Sequence, residues 1–162
     1  MNEMNEKVID AIIKQAEALC PDSLALIGVY GSVITGDEYE KSDLDLMILI
    51  NDEKGQVLAD GFIIDDADIG YDLYCTNWDM LEEDAQCGHA HLSKLFDTVI
   101  VYCKDKSALK RLDEIRRKAA ELLASDQRYE KADQAYGDAK KMFAEVCLTQ
   151  SLSKARSCAG AA

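Results

Sequence analysis

The sequence predicts an α/β (α+β) fold in which a small mixed β-sheet is followed by C-terminal helices. Two observations support this prediction. In the first two thirds of the chain, short apolar runs of strand length alternate with helical patterns, whereas from Lys106 onward apolar residues recur only at helical spacing. In addition, one Pro and 9 Gly in 162 residues argue against disorder and against an all-β fold rich in turns.

The first half of the predicted sheet surrounds a central strand. Residues 5–19 carry one apolar stripe at helical spacing, and Pro21 ends this helix. Residues 24–30 form an apolar run of strand length, and residues 33–39 are predicted to be a brief helix or turn. Residues 42–50 are nearly all apolar beyond Asp45, which is typical of a central strand covered on both faces.

The second half adds a hairpin, two short helices and a strand. A turn at 51–55 precedes two strands, 61–64 and 69–75, joined through an acidic cluster. The Thr76 hydroxyl is predicted to cap a helix over 78–86. One or two helical turns at 91–97 and a strand at 98–103 follow. Two helices then complete the chain, the second running through Leu152. We expect residues 1–104 to form the catalytic domain and residues 105–162 a helical region that begins a larger helical domain.

The net charge of −13 is unevenly distributed. Residues 1–104 carry 22 acids against 6 bases, and residues 105–162 carry 9 acids against 12 bases. An acidic surface disfavours a nucleic-acid partner and attracts a cationic small molecule or a basic protein surface. No apolar run approaches the roughly 20 residues that span a membrane, and the N-terminus is too acidic for a signal peptide. We therefore expect a cytoplasmic protein.

Candidate metal ligands other than carboxylates are few. The six cysteines show no CxxC pair, which favours reduced thiols over a disulfide framework or a zinc site. His89 and His91 lack the accompanying ligands of a metal site, and a loop role is expected for them.

The sequence concentrates its chemistry in residues 31–45. Asp43 and Asp45 are spaced by one residue at the start of a strand, so both carboxylates point to the same side of the sheet. Their mutual repulsion is relieved by a divalent cation, and hard oxygen ligands suit Mg²⁺. Gly31 allows close approach of a phosphate, and a helical turn starting at Ser32 offers N–H groups and a hydroxyl to phosphate oxygens.

Gly-Ser, ten residues and then Asp-x-Asp, with Gly36 and Ser42 in between, resembles the signature of the DNA polymerase β-like nucleotidyltransferase superfamily. The resemblance covers residues 24–103 and is strongest to minimal and antibiotic nucleotidyltransferases. It implies a nucleoside triphosphate donor held by Gly31, Ser32 and Ser42, and two Mg²⁺ ions held by carboxylates. It places Asp43, Asp45 and a third acid in the catalytic and metal site. Asp72 matches that third acid best, with Asp68 as the alternative and a solvent-facing hairpin acid as the structural interpretation.

The chain departs from many such enzymes directly after Gly-Ser. Val33 and Ile34 stand where those enzymes often carry Arg and a small residue. Lys41 or a lysine of the C-terminal helices is therefore expected to neutralise the triphosphate. For the basic residues at 116–118 and 140–141, a solvated helix face is favoured over a phosphate contact. Core packing is favoured for Trp78, Tyr71 and Tyr74 over stacking on a substrate.

The resemblance implies transfer of a nucleoside monophosphate to an acceptor hydroxyl with release of pyrophosphate. By analogy with the antibiotic-modifying relatives, the first hypothesis is a small-molecule, antibiotic-like acceptor, with ATP among the candidate donors and antibiotic resistance as the expected outcome. The second is a toxin–antitoxin nucleotidyltransferase that modifies a partner protein, and the third a non-catalytic nucleotide-binding or regulatory module. No element follows the last helix to cover its apolar face. We expect that this helix packs back on the sheet, that it pairs with another subunit in a homodimer through the C-terminal helices, or that the chain is the first domain of a longer protein.

Overall fold

A computed structural model describes residues 3–36, 43–64, 69–86 and 92–161. Its helices and strands follow one another in an order that confirms the predicted α/β class. They are α1 (Glu3–Leu19), β1 (Leu24–Tyr30), α2 (Ser32–Thr35), β2 (Leu44–Ile50), a 3₁₀ helix (Glu53–Leu58), β3 (Asp60–Ile64), β4 (Ile69–Asn77), α3 (Trp78–Asp84), α4 (Leu92–Phe96), β5 (Val99–Cys103), α5 (Lys106–Ala124), α6 (Gln127–Leu148) and α7 (Leu152–Ala161).

The five described strands form one mixed sheet in the order β3-β4-β2-β1-β5. The central strand β2 pairs with β1 in antiparallel and with β4 in parallel orientation. β5 extends the sheet beyond β1, and β3 forms an antiparallel hairpin with β4. All residues of β2 except Asp45 are buried, as predicted for a central strand. The register places Asp45 opposite Tyr30 on one side and opposite Asp72 on the other.

Apolar residues on the two faces of the sheet build two cores, because successive side chains of a strand point to opposite faces. One face of β2, including Leu46 and Ile48, packs with Ile9, Ile12 and Ala16 of α1. The other face contributes Met47 and Leu49. They pack with residues of α3, α4 and α5, namely Trp78, Leu81, Leu95, Leu112 and Ile115. Helices therefore cover both faces of the sheet. Asp45 shares the second face with Met47 and Leu49.

The last three helices differ in how they meet this core. Four apolar residues of α5 are buried, namely Ala108, Leu112, Ile115 and Ala119. In contrast, α6 has no buried residue, and Tyr129, Tyr136 and Phe143 are 62%, 64% and 65% exposed. The predicted second C-terminal helix is shorter than expected, because it ends at Leu148. A separate helix begins at Leu152, where the Ser151 hydroxyl accepts the backbone N–H of Lys154 at 3.3 Å. The division after residue 104 stays a prediction.

Two local predictions are corrected by hydrogen bonding. The cap of α3 is Asn77, whose side-chain oxygen accepts the backbone N–H of Met80 at 2.9 Å. Thr76 was expected in this role, but it still belongs to β4 and its buried hydroxyl lacks a hydrogen-bond partner among the described residues. The predicted turn at 51–55 opens a 3₁₀ helix, because the Asp52 carboxylate accepts the N–H of Lys54. None of the described helices is both long and apolar enough to cross a membrane.

Candidate active site

Three carboxylates predicted from the sequence lie at one end of the sheet. Asp43 directly precedes β2, Asp45 is its second residue, and Asp72 lies on the parallel neighbour β4 in register with Asp45. Residues in register on adjacent strands are separated by about 4.8 Å, and their side chains share a face. Asp45 is half-buried, whereas Asp43 and Asp72 are exposed. The fold therefore brings the three acids together and leaves two of them open to solvent.

Gly31 lies directly against Asp45. Its backbone has φ +80°, which side chains rarely adopt, and a Cβ there would lie 2.5 Å from the Asp45 Oδ2. The N–H groups of Ile34 and Thr35 donate to the Gly31 carbonyl at 3.0 and 3.2 Å, which starts the single turn of α2. A side chain at position 31 would displace the carboxylate, so the Gly-Ser pair and the acids form one spatial unit.

Asp43 is oriented by the start of β4. The backbone N–H of Gly70 donates to the Asp43 Oδ1 at 3.1 Å. A Cβ at Gly70 would lie 2.5 Å from the same oxygen, so this approach also requires glycine. One oxygen of Asp43 is therefore engaged by the protein, and the other is available to a ligand.

The electrostatics of the cluster are dominated by negative charge. Burial raises the pKa of Asp45, the neighbouring carboxylates of Asp72 and Asp43 raise it further, and the Lys94 ammonium opposes them. Burial also raises the pKa of Tyr30, and the charges of Asp45 and Asp72 add to that effect. A cation placed among these groups would relieve the repulsion.

The carboxylates fit Mg²⁺ by their chemistry, although they are not a preformed cage. Among the described residues, no three His, Cys, Asp or Glu side chains already converge as metal ligands do. The hydrogen bond from Gly70 holds one Asp43 oxygen, and repulsion disfavours convergence of the three carboxylates. Hard carboxylate oxygens on one sheet face are nevertheless the donor set that Mg²⁺ prefers. Asp43, Asp45 and Asp72 are the residues that would hold the ion.

Several predicted positions lie outside the described residues, namely Lys41, Ser42, Asp68, His89 and His91. Ser32, predicted to bind the nucleotide, is half-buried at the start of α2.

The aromatic predictions separate into two outcomes. Trp78 and Tyr71 are buried, as expected for core packing, with the Trp78 Nε1–H donating to Asn51 and the Tyr71 hydroxyl to Asn5. Tyr74 is half-buried, and its ring lies under the ammonium of a lysine near the acids.

That lysine, Lys94 of α4, is a residue that sequence reasoning missed. Its Nζ lies 3.6 Å from the centre of the Tyr74 ring and 5.6 Å from that of Tyr30. No motif surrounds Lys94. The feature of the sequence that could have pointed to Lys94 is the scarcity of bases, because it is one of six in the first 104 residues.

The basic residues at 116–118 do not behave alike. Arg117 pairs with Glu114 and Glu121 on the helix surface, as expected of a solvated face. Arg116 is half-buried, and its guanidinium donates to the backbone carbonyls of Leu95 and Thr98, each at 2.7 Å. Burial lowers the pKa of Arg116. Arg116 therefore anchors the segment that carries Lys94.

Comparison with solved structures gives distant similarities. One is a toxin–antitoxin crystal structure with AMP-PNP, which is 19% identical, has a TM-score of 0.47, and covers 76% of this chain and 95% of that one. Two are mutant forms of the toxin–antitoxin pair MntA–HpeT. They are 17% and 19% identical, with TM-scores of 0.46 and 0.45. Those alignments cover 76% and 82% of this chain, and 95% and 97% of the others. No curated protein sequence matches significantly.

Comparison with protein-family models is decisive for the family. The model described as "Nucleotidyltransferase domain" matches residues 11–127, which include β1 to β5, the Gly-Ser pair and all three acids. The chain therefore belongs to the nucleotidyltransferase domain family, and it is a transferase of phosphorus-containing groups.

Proposed function

We propose that this protein is a Mg²⁺-dependent nucleotidyltransferase that transfers a nucleoside monophosphate from a nucleoside triphosphate to a hydroxyl of a small, antibiotic-like molecule. One observation carries the proposal. Asp45 and Asp72 lie in register on neighbouring parallel strands, and Gly31 approaches Asp45 so closely that no side chain fits. Acids and a glycine-led turn at one point suit a metal-bound phosphate.

In the proposed reaction, Gly31 and Ser32 bind the triphosphate through backbone N–H groups and the Ser32 hydroxyl. The acceptor oxygen forms a bond to the α-phosphorus, the bond from that phosphorus to the bridging oxygen breaks, and pyrophosphate leaves. Asp72 is exposed, so it can accept the proton of the attacking hydroxyl. When bound by Asp43, Asp45 and Asp72, Mg²⁺ would supply stabilisation of charge on the phosphate oxygens.

The acceptor class is inferred from charge. The 22 acids against 6 bases in residues 1–104 repel other anions and attract cations. Aminoglycosides are cationic and rich in hydroxyls, so they fit this surface better than nucleic acid does. We place the acceptor on the exposed side of Asp72.

The test is a transfer assay with purified protein. Each of the four nucleoside triphosphates is incubated with Mg²⁺ and with aminoglycosides, lincosamides or cell extract, and pyrophosphate release is measured. We expect release that depends on one acceptor and on Mg²⁺, and that is lost in Asp45→Asn. The matched control is Asp10→Asn, which removes an exposed acid from α1 on the opposite face of the sheet.

Outcomes of this assay, of triphosphate binding by calorimetry and of co-expression with labelled nucleotide would contradict the proposal. Labelled nucleotide on a co-expressed protein, with all small molecules inactive, would replace the small-molecule acceptor by a protein hydroxyl. Triphosphate binding without transfer to any acceptor would indicate a non-catalytic nucleotide-binding module. Equal activity of Asp45→Asn and wild type would remove the acids from the mechanism.

We also propose that α6 pairs with a second copy of the chain. Tyr129, Tyr136 and Phe143 recur every seven residues and are all largely exposed, which is the pattern of a helix-pairing face. Light scattering is expected to give a dimer for the wild type and a monomer for Tyr136→Asp. A monomeric wild type at micromolar concentration would contradict pairing through this face.

A further inference from the structure

Among the described residues, neither the Gly-Ser pair nor the residue after it offers a partner for the negative charge of a triphosphate. The first 104 residues contain six lysines and no arginine. Val33 follows the Gly-Ser pair, so this position offers no cation. Phosphates of a bound nucleotide are usually neutralised by Lys or Arg in addition to metal ions. Lys41 lies outside the described residues, so a cation near the acids can be identified only in the described part of the fold.

The structure places Lys94 on the same face of the sheet as the acids. Tyr74 is two residues after Asp72 on β4, so both side chains share a face. Tyr30 is the antiparallel partner of Asp45 on β1. The Lys94 Nζ contacts both tyrosine rings, at 3.6 and 5.6 Å from their centres. Its charge also acts on the Asp45 carboxylate.

Hydrogen bonds fix the backbone that carries Lys94. The Thr98 hydroxyl donates to the Lys94 carbonyl at 2.5 Å. The half-buried Arg116 guanidinium donates to the carbonyls of Leu95 and Thr98. Thr98 is itself buried against β1, where a Cβ at Gly28 would lie 2.2 Å from its methyl group. A lysine on a short helix is thus held by the core and by α5.

The rings of Tyr30 and Tyr74 can hold the Lys94 ammonium before it binds a phosphate. A cation over an aromatic face is attracted by the negative charge density of the ring, and this attraction is weaker than a charge-assisted hydrogen bond to phosphate at its best. The ammonium is therefore kept near the acids without being neutralised by a close ion pair to one of them.

We propose that Lys94 binds the β- and γ-phosphates of the donor nucleotide. The proposal rests on the proposed function, and it assigns the cation to α4 instead of Lys41 or the C-terminal helices. Arg116 and Thr98 are positioning residues for Lys94.

The test compares phosphate-containing probes that do and do not include the proposed contact. Binding of pyrophosphate and of AMP, each with Mg²⁺, is measured by calorimetry for wild type, Lys94→Met and Lys94→Arg. We expect Lys94→Met to weaken pyrophosphate binding about 10- to 100-fold, the loss of one charge-assisted contact. AMP binding should change less than about 3-fold. Lys94→Arg should restore most of the pyrophosphate affinity.

A second readout separates phosphate binding from a structural role. Mn²⁺ binding to the acids without nucleotide should be as tight or tighter in Lys94→Met, because a competing positive charge is removed. The matched control is Lys14→Met, which removes an exposed lysine from α1. Pyrophosphate and Mn²⁺ should bind to this variant as they bind to the wild type.

The outcomes that overturn the inference are distinct from failure of the proposed function. If the wild type transfers nucleotide and Lys94→Met binds pyrophosphate equally well, the assignment of Lys94 is wrong and the function stands. Equal weakening of pyrophosphate, AMP and Mn²⁺ binding would show a structural role and would also overturn it. If the wild type neither binds pyrophosphate nor transfers nucleotide, the proposed function falls and the inference falls with it.

Discussion

The two ends of the central strand β2 differ in whether their polar side chains are paired within the protein. At the acid end, formed by Asp43, Asp45 and Asp72, like charges gather on one face of the sheet. At the paired end, formed by Ser23, Asn51 and Asp52, the Ser23 hydroxyl donates to Asp52 at 2.7 Å and the Trp78 indole donates to Asn51 at 2.9 Å. The six residue-to-residue steps from Asp45 to Asn51 separate these ends by about 20 Å.

Charge distinguishes the two ends of β2 better than the size of a pocket does. A pocket of about 550 Å³ lies at the paired end, lined by residues that include Asn51, Trp78, Lys104 and Arg111. Its cations are paired within the protein, because Arg111 contacts Glu82 at 2.8 Å and Lys104 lies 3.6 Å from Asp22. Internal pairing favours stability, whereas the unbalanced charge at the acid end favours a ligand.

The largest expected effect tests whether the acid end is used for chemistry. Asp72→Asn should lower kcat for nucleotide transfer by about 10²–10⁴-fold, because the amide cannot accept the proton of the attacking hydroxyl. The melting temperature should stay close to that of wild type, since Asp72 is exposed. Steady-state kinetics with the best donor and acceptor measure the effect. A decrease of less than about 3-fold would assign proton acceptance to another group.

The next effect tests the contact between Gly31 and Asp45. Gly31→Ala should lower kcat/KM by about 10²-fold, because the new methyl group displaces the carboxylate by the order of 1 Å. Gly36→Ala is the control for a positive φ, since Gly36 has φ +82° in the left-handed helical region and a Cβ there would meet none of the described residues within 4 Å. If both variants lose activity equally, backbone strain and not displacement of Asp45 explains the loss.

A smaller effect is expected at the paired end, and it should concern stability alone. Ser23→Ala removes the hydrogen bond to Asp52, which should lower the melting temperature by about 2–4 °C. Transfer activity should be unchanged.

This destabilisation has a predicted pH dependence. The Ser23 hydrogen bond lowers the pKa of Asp52, so its contribution is present above the usual Asp pKa and is lost as pH falls through the lowered value. Thermal melts of wild type and Ser23→Ala should therefore converge in acid. A difference that persists at pH 2 would contradict the assignment.

The smallest effect has the opposite sign. Asp45→Asn should raise the melting temperature by about 1–3 °C at pH 7 in the absence of metal, because less than about 1 kcal/mol of repulsion is removed. Since the pKa of Asp45 is raised in the folded state, its ionisation costs stability at neutral pH. The gain should shrink as pH falls through this raised pKa. A lower melting temperature at pH 7 would show that Asp45 supports the fold.

The positions of the three acids on the sheet could be predicted from the sequence, because they depend on side-chain alternation and on the residues next to each acid. Alternation along a strand places Asp43 and Asp45 on one side, and Asp72 stands out as an acid between apolar residues of the next strand. The predicted strand at residues 24–30 was confirmed, because an apolar run of strand length is also a local feature of the sequence. The Gly31 contact with Asp45 could be anticipated only in part, since the register of β1 on β2 determines it.

Other features depend on tertiary packing and could not be predicted. Lys94 lies on a five-residue helix without a motif, and only the folding of α4 over the sheet brings it to Tyr30 and Tyr74. Thr76 and Asn77 are both suitable caps, and the extent of β4 decides between them. Lys41 and Ser42 lie outside the described residues, so their predicted roles stay predictions.

Gly28 gives the clearest consequence for a mutational screen. It lies inside β1, away from every motif, yet its missing side chain makes room for the Thr98 methyl group at a distance no Cβ could share. A screen of variants for folded protein would therefore score Gly28 as intolerant. The intolerance of this buried glycine would then be explained by Thr98, the residue before the neighbouring strand β5, in the segment that supports Lys94.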